Sequence, residues 1–478
     1  MNSTTTPTRV LPAAPTQAEV AEEFAARAGD CLRYAYEART WFAYTPEEGW
    51  RANRSGSAVQ GRLLKVMRQL QAESLETPTD QRKRTRVMRS MEKPGTVKSI
   101  ADFAGRCAPI EAELADFAEP AHLLGVRNGI LDLQTTTLMP FDPAVLITRR
   151  VPWAYDPEAT CPRWETFLRE VFGDDPAVQE YIQRLVGYVL TGDTSLQQMW
   201  LCVGAGANGK STFIRALQNL LGADYAQQAP ETVLLGKPSQ GSATSELARL
   251  AGARLVALTE TDQGQHLNET RVKSLVSGDP IAARELYQAI QEFEPTAKFF
   301  LATNHLPVVR GTDEGIWRRL VVIPFERTFD VNIDPGLAAT LRAEMPGILT
   351  WAAQGALLWW STKKVPVPAA FTAPTQAYRH EQDAVRGFLE DCTDRVADAI
   401  VEATPLYEAY TQWCEEQGRA ALTQGEFGSR MSKAHGPSTK GGKKKRFRYH
   451  GLQLKACEAP DQAVIPLPGV TDADTQVA

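Results

Sequence analysis

The chain has 478 residues, a length that suggests roughly two to four domains. Apolar residues make up 43% of it, ample for a sizeable core, and a formal net charge of −5 excludes an overall basic nucleic-acid coat, so any such binding must use local patches. Seven cysteines without a CxxC pair fit neither a zinc site nor a disulfide framework and point to a reducing interior.

Residues 1–18 lack the charged-then-apolar plan of a signal peptide and read as a loose tail. Glu19 to Arg39 is helix-like, with Val20, Phe24, Leu32 and Tyr36 among its apolar positions. Trp41-Phe42-Ala43-Tyr44, a Pro46-Glu47-Glu48-Gly49 turn and Trp50 suggest a short hairpin. Its aromatic residues, interleaved with Arg39 and Arg51, either stack single-stranded bases or pack beneath the next helix, Gln60 to Gln71; packing is the simpler reading. The basic run over 80–98 reads as a solvated helix face or a phosphate contact. Residues 19–124 thus form a mainly helical accessory domain.

From Gly125 to Leu133 a turn between apolar residues predicts a small β unit. Helices follow over Pro162–Val171 and Pro176–Leu190, and 125–195 reads as a collar leading to the next segment. There Met199 to Val203 is a strand, Gly204-Ala205-Gly206-Ala207-Asn208-Gly209-Lys210-Ser211-Thr212 a glycine-rich turn, and Phe213 to Leu221 a helix ending at Gly222. Strand, turn with Lys-Ser and helix give the full context of a phosphate-binding P-loop. The backbone N–H groups of residues 204–212 and the helix N-terminus cradle phosphate, Lys210 reaches the β- and γ-phosphates, and the Ser211 hydroxyl serves Mg²⁺. ATP and Mg²⁺ are the expected cofactors.

Arg254 to Thr259 predicts a second buried strand, ending in Glu260-Thr261-Asp262. An acid at the tip of a strand beside a P-loop is placed to hold the Mg²⁺ water shell and the attacking water, so Glu260 takes that role with Asp262 as its helper. After a helix over Leu267–Val276, Ile281–Leu286 and the residues from Phe293 form a hairpin. A third buried strand, Lys298 to Ala302, ends at Thr303-Asn304, where an amide can hold water and sense the γ-phosphate. Arg318 and Arg319 precede a fourth strand, Leu320 to Ile323. Gly347 to Trp360 is too short to span a membrane and reads as a buried helix.

In order and spacing these motifs resemble the superfamily 3 helicases, specifically the helicase half of poxvirus and phage or plasmid primase-helicases. The match runs over about 125–327 through GAGANGKST, LVALTETD, NETRVKSLVSGDPIAARELY, FFLATNHLP and GTDEGIWRRLVVIPF. The resemblance implies an α/β, AAA+-like core over 196–365, a parallel sheet flanked by helices. It also implies assembly into a ring, usually hexameric, with ATP sites between subunits, and ATP-driven translocation on single-stranded DNA. Forked DNA would be unwound during replication of a phage, plasmid or other mobile element, in the cytoplasm of a bacterial host and away from any membrane. Carried over, Lys210 and Ser211 bind phosphate and Mg²⁺, Glu260 is the catalytic acid, Asn304 the sensor, and Arg318 or Arg319 the finger given to a neighbour. The family's pore hairpin often carries Lys at its tip; here Gln288 and Gln291 stand there, passing the DNA contact to Lys273, Arg284 or Tyr287. The first 120 residues are too short for a primase domain, so priming is expected from a separate primase.

Residues 366–457 read as helices followed by a basic ribbon, with Lys443, Lys444, Lys445, Arg446 and Arg448 as candidate DNA contacts. The pattern suggests a winged-helix-like domain, and 458–478 reads as a disordered tail. A second reading of the whole is an ATP-regulated DNA-binding initiator or loader that does not unwind. A small-molecule kinase explains neither Asn304 nor the basic C-terminal ribbon.

Overall fold

Thr16 caps the first helix, α1 (Gln17–Ala28), in a reciprocal capping box with Glu19. The helix does not run on to Arg39. Gly29 lies flat against Pro109, where a Cβ would sit 2.1 Å from the proline ring, and the chain re-emerges extended as β1 (Leu32–Ala35). The computed structural model in which this is seen describes residues 11–73, 75, 77–235, 246–259, 264–283, 291–311, 313–329, 334–418, 421–441 and 446–455. They divide into two units, 1–376 and 377–478.

In the first unit, β1 pairs with the expected hairpin, β2 (Thr40–Thr45) and β3 (Gly49–Asn53). With β4 (Glu111–Ala112) they make a four-stranded sheet in the order β3-β2-β1-β4, so this region is α+β rather than mainly helical. Helices α2 (Ser57–Ala72), α3 (Pro78–Met91) and α4 (Pro94–Ala104) bury Leu63, Met67, Met88 and Ile100 with Phe24 of α1. The basic run is not uniformly a solvated face. Arg84 is 1% exposed and donates to the carbonyls of Leu11, Pro12 and Leu70, tying the N-terminal segment to α3.

The expected β unit is an antiparallel meander, β5 (Leu123–Val126), β6 (Gly129–Asp132) and β7 (Thr137–Met139). Helices α5 (Pro162–Phe172) and α6 (Pro176–Leu190) lead to a five-stranded sheet. Its strands are β8 (Met199–Val203), β9 (Ala226–Ala229), β10 (Leu255–Thr259), β13 (Lys298–Thr303) and β14 (Leu320–Pro324). All pairings are parallel, in the order β14-β8-β13-β10-β9. A parallel sheet covered on both faces demands unbroken apolar strands, and Met199, Trp200, Leu201 and Cys202 are fully buried. Helix α7 (Lys210–Tyr225) leaves β8, with a break at Gly222 (φ +64°), where the helix was expected to end. Between β10 and β13 come α8 (Glu269–Ser277) and the antiparallel pair β11 (Ile281–Ala283) and β12 (Gln291–Phe293). The short α9 (Glu314–Trp317) precedes β14, and α10 (Leu337–Ala343) and α11 (Met345–Thr362) follow it.

A buried polar cluster fastens the meander and α6 to the amino edge of this sheet. Arg254, 2% exposed, donates to the carbonyls of Leu123 (2.6 Å) and Leu190 and lies 3.5 Å from Glu119. Glu119 also accepts from the Tyr225 hydroxyl at 2.8 Å. Lys298, equally buried, donates to the carbonyls of Thr191 and Thr296. Every charge taken out of water there has partners, as burial requires.

The second unit begins within α12 (Ala369–Gln382) and contains α13 (Ala384–Cys392), α14 (Ala403–Glu416) and α15 (Gln424–Ala434) around Phe388, Tyr410, Phe427 and Met431. Two short strands, β15 (Thr393–Asp394) and β19 (Gln453–Leu454), pair with each other. An antiparallel sheet of β16 (Ile400–Glu402), β18 (Arg446–His450) and β17 (Thr439–Gly441) completes it. The order of helices followed by a basic ribbon is the one read from the sequence.

Helices α6 and α11 approach so closely that only glycine fits at the crossing. A Cβ on Gly187 would stand 2.1 Å from the backbone N of Ala356, and one on Gly355 would stand 2.1 Å from the Gln183 carbonyl oxygen. Backbone, unlike a side-chain tip, cannot swing aside. Gly187→Ala should therefore lower unfolding free energy by about 1–3 kcal/mol, read as an earlier midpoint in urea denaturation, while Gly61→Ala, which meets nothing within 4 Å, should not.

Candidate nucleotide-binding site

Parallel register aligns the carboxyl ends of three neighbouring strands. Val203 of β8 stands opposite Thr303 of β13 and Pro324 of β14, so the chain leaves all three strands in one row, at Gly204, Asn304 and Phe325. Open α/β sheets bind ligands at this edge. The 204–209 loop is pinned to the row by backbone bonds from Phe325 N to the Val203 carbonyl (2.7 Å) and from Phe329 N to that of Ala207 (2.9 Å). Asn208, buried, donates from Nδ2 to the Phe325 carbonyl at 2.9 Å. Gly204 makes room for that amide: a Cβ there would lie 2.0 Å from Asn208 Nδ2.

The rest of the loop fits a polyphosphate. Gly206 (φ +116°), Ala207 (φ +48°) and Gly209 (φ +87°) take the left-handed backbone that curls the chain into a cradle, and a Cβ on Gly206 meets nothing within 4 Å. Gly209 caps α7 with no side-chain acceptor, so the first-turn amides of Lys210, Ser211 and Thr212 and the helix dipole face an anion site. Lys210 is 7% exposed; its Nζ donates to the Gly204 carbonyl and to Asn304 Oδ1, the latter at 2.9 Å. Loop lysine and strand-end amide, 94 residues apart in sequence, are thus brought together. Ser211 is exposed beside them and Thr212 half-buried. Glu260 and Asp262 lie outside the described residues; β10, which leads to them, ends with Thr259 opposite Ala302 of β13.

The two arginines part company. They lie at the opposite, amino edge of the sheet, just before Leu320, which pairs with Met199. Arg318 is exposed and donates to Gln197 Oε1 at 3.2 Å. Arg319 is 8% exposed, donates to the Gly315 carbonyl at 2.5 Å and keeps a buried Nε with no hydrogen-bond partner among the described residues. Burial, with the neighbouring Arg318 charge second, lowers its affinity for its proton.

The expected DNA contacts are scattered. Lys273 of α8 pairs with Asp313 at 3.0 Å and, by that hydrogen bond, holds the Asp313 carboxyl below its ordinary range. Arg284, Tyr287, Lys443, Lys444 and Lys445 lie outside the described residues. Arg446 and Arg448 both reach Glu402 of β16, at 2.7 and 3.4 Å, and the Arg446 hydrogen bond first of all holds that carboxyl low. Glu402 carries no motif; only the β16–β18 register, Glu402 opposite Arg448, reveals it. Gln197 and the Phe325 carbonyl were equally invisible to motif reading. Desolvation pushes the thiols of Cys161 and Cys202 up to about 12, so neither supplies a thiolate at neutral pH. No helix among the described residues is long and apolar enough to cross a membrane.

The chain is similar to several known proteins. Residues 21–173 match the "D5 N terminal like" family, 202–319 a "Family of unknown function (DUF5906)", and 380–451 the "Poxvirus D5 protein-like" family. "Putative helicase L207/L206" of Acanthamoeba polyphaga mimivirus is 32% identical over 241 residues, 50% of this chain and 25% of the relative. "Putative helicase 022R" of Frog virus 3 is 26% identical over 352 residues, 68% and 33% of the two chains. "Putative primase C962R" of African swine fever virus is 28% identical over 331 residues, 61% and 33%. The chain therefore spans between a quarter and a third of the length of these relatives. Among solved structures, the apo C-terminal region of NrS-1 aligns over 88% of this chain and 96% of its own, with 10% identity and a TM-score of 0.48. Two D5-type segments on either side of the α/β core, together with relatives named putative helicases and a putative primase from several large DNA viruses, identify the chain as a member of the D5-like superfamily 3 primase-helicase family.

Proposed function

We propose that this chain is an ATP-driven DNA helicase motor that works as a ring, usually hexameric in such proteins, translocating on single-stranded DNA and opening forked DNA during genome replication. The observation that carries the reading is the meeting of Lys210, Gly204 and Asn304 at one edge of the sheet with Arg318 exposed at the other. A strand of five residues separates the two edges, roughly 16 Å at about 3.3 Å per residue. Arg318 thus stands a strand's length from its own subunit's phosphate cradle, which favours its action on a neighbour's nucleotide. Arg319, buried and bonded to its own helix, supports the segment that presents Arg318.

In this reading the loop amides and the α7 N-terminus bind the phosphates of ATP, and Lys210 turns from Asn304 toward the β- and γ-oxygens. Ser211 and Glu260 would hold Mg²⁺, which neutralises phosphate charge when bound. Glu260, with Asp262 beside it in sequence, orients the attacking water, and Asn304, released from Lys210, senses whether a γ-phosphate is present. The second unit, read as a winged helix, grips DNA through its basic ribbon, and a separate primase lays primers.

Strand displacement on a forked duplex tests the motor. Wild type should displace with ATP, whereas Lys210→Ala and Arg318→Ala should each lose about 100-fold or more in ATP hydrolysis. Mixing those two variants should recover part of the activity, because some interfaces then pair an intact cradle with an intact arginine. Normal hydrolysis by Lys210→Ala would sink the reading, and hydrolysis without displacement would favour the initiator or loader.

Asn304→Ala separates sensing from binding. It should lower kcat by about 100-fold while nucleotide affinity changes only a few-fold. Equal losses in both, measured by fluorescent-nucleotide titration and steady-state kinetics, would reduce Asn304 to a strand cap.

A further inference from the structure

The turn that joins β1 to β2 carries an aromatic and cationic cluster that the ATPase core does not use. Tyr36, 58% exposed, is the most exposed large hydrophobic side chain among the described residues. The Arg106 guanidinium lies 5.7 Å from its ring centroid, and the Tyr34 ring meets it edge-on at 6.5 Å. Tyr34 in turn rests on Trp41 at 4.8 Å and against Gly105, where a Cβ would come within 2.9 Å of the ring. The inner ring is therefore fixed from behind while the outer one is open. Arg39, exposed and held in the turn by its backbone bond to the Tyr36 carbonyl (3.1 Å), acts electrostatically on the Tyr34 hydroxyl together with Arg106; Asp102 is the opposing carboxylate. Three residues before Arg106, Phe103 at the end of α4 is 47% exposed.

Exposing two aromatic rings to water is unfavourable unless a partner covers them, and Tyr36 lies beside a guanidinium. Rings of this kind offer π-faces to bases, and guanidinium groups add phosphate attraction and stacking; neither needs a particular base. A membrane surface would call for an apolar stripe, and a protein hot spot for a desolvated pocket around its anchors. We infer that the β1–β2 turn and the end of α4 form a stacking site for unpaired bases of a single-stranded polynucleotide, outside the ATPase sheet. The site is independent of the nucleotide-binding reading.

The test uses the full chain, without nucleotide, and anisotropy of a short labelled oligothymidylate. Tyr36→Ala and Arg106→Ala should each weaken binding by about tenfold, and Tyr36→Phe, which keeps the ring, should bind within about twofold of wild type. Arg106→Ala should also reduce the slope of log affinity against log salt by about 0.7. DNA-independent ATP hydrolysis should be unchanged in all three, which checks that they fold. Wild-type affinity in Tyr36→Ala overturns the inference and leaves a protein partner as the occupant; equal losses for oligothymidylate and a blunt duplex overturn it as well. Absence of ATP hydrolysis in the wild type would fail the motor and leave the binding comparison intact.

Discussion

The site depends on register. Because β8, β13 and β14 run parallel with Val203, Thr303 and Pro324 abreast, three segments distant in sequence leave the sheet in one row. Slip any pair by one residue and every side chain of that strand swaps faces and meets neighbours fitted to a different side chain, so the packed core itself enforces the alignment. The loop amides, the Lys210 ammonium and the Asn304 amide are ordered by the same packing that stabilises the sheet. Within this frame the Lys210 side chain is buried and donates to the Gly204 carbonyl and to Asn304 Oδ1. Both of those acceptors are neutral, and a phosphate would be a stronger, charged partner for a lysine.

The sheet's other edge answers a different demand. Arg254, Glu119, Lys298 and Tyr225 bury polar groups where the collar meets the amino ends of the strands. Such a cluster resists sliding, because each lost contact strands a desolvated group. It gives the meander and α6 a fixed seat on the sheet. Close helix packing at Gly187 and Gly355 extends that seat to α11. These connections are polar on the sheet side and backbone-to-backbone on the helix side.

Charge alone does not identify a nucleic-acid contact. Arg84 belongs to the basic run yet is buried with both terminal nitrogens donating to carbonyls, Lys273 is answered by Asp313, and Arg446 and Arg448 share one carboxylate. Each of those cations would exchange an existing partner for a phosphate, which weakens the net gain. Arg39 and Arg106 instead flank exposed rings, where stacking adds to the electrostatic attraction.

Much of this was legible in the chain before any folding. The P-loop, the buried strands over 199–203, 255–259, 298–303 and 320–324, and the helix over 176–190 all announce themselves through local chemistry: glycines where the backbone must curl, continuous apolar runs where both faces are covered, and a 3.6-residue stripe. The strand at Leu32–Ala35 was hidden because its short run borders a helix of similar composition, and only the neighbouring strands and Pro109 force it to extend. The different environments of Arg318 and Arg319, adjacent and identical in type, were equally hidden: one faces water and one the core according to how α9 seats before β14. The same holds for the Glu402 pairings and the Lys210–Asn304 bond, which join residues far apart in sequence. Local sequence dictates backbone conformation and burial pattern, whereas the partner a charged group finds is decided only when register and packing bring distant segments within hydrogen-bond reach.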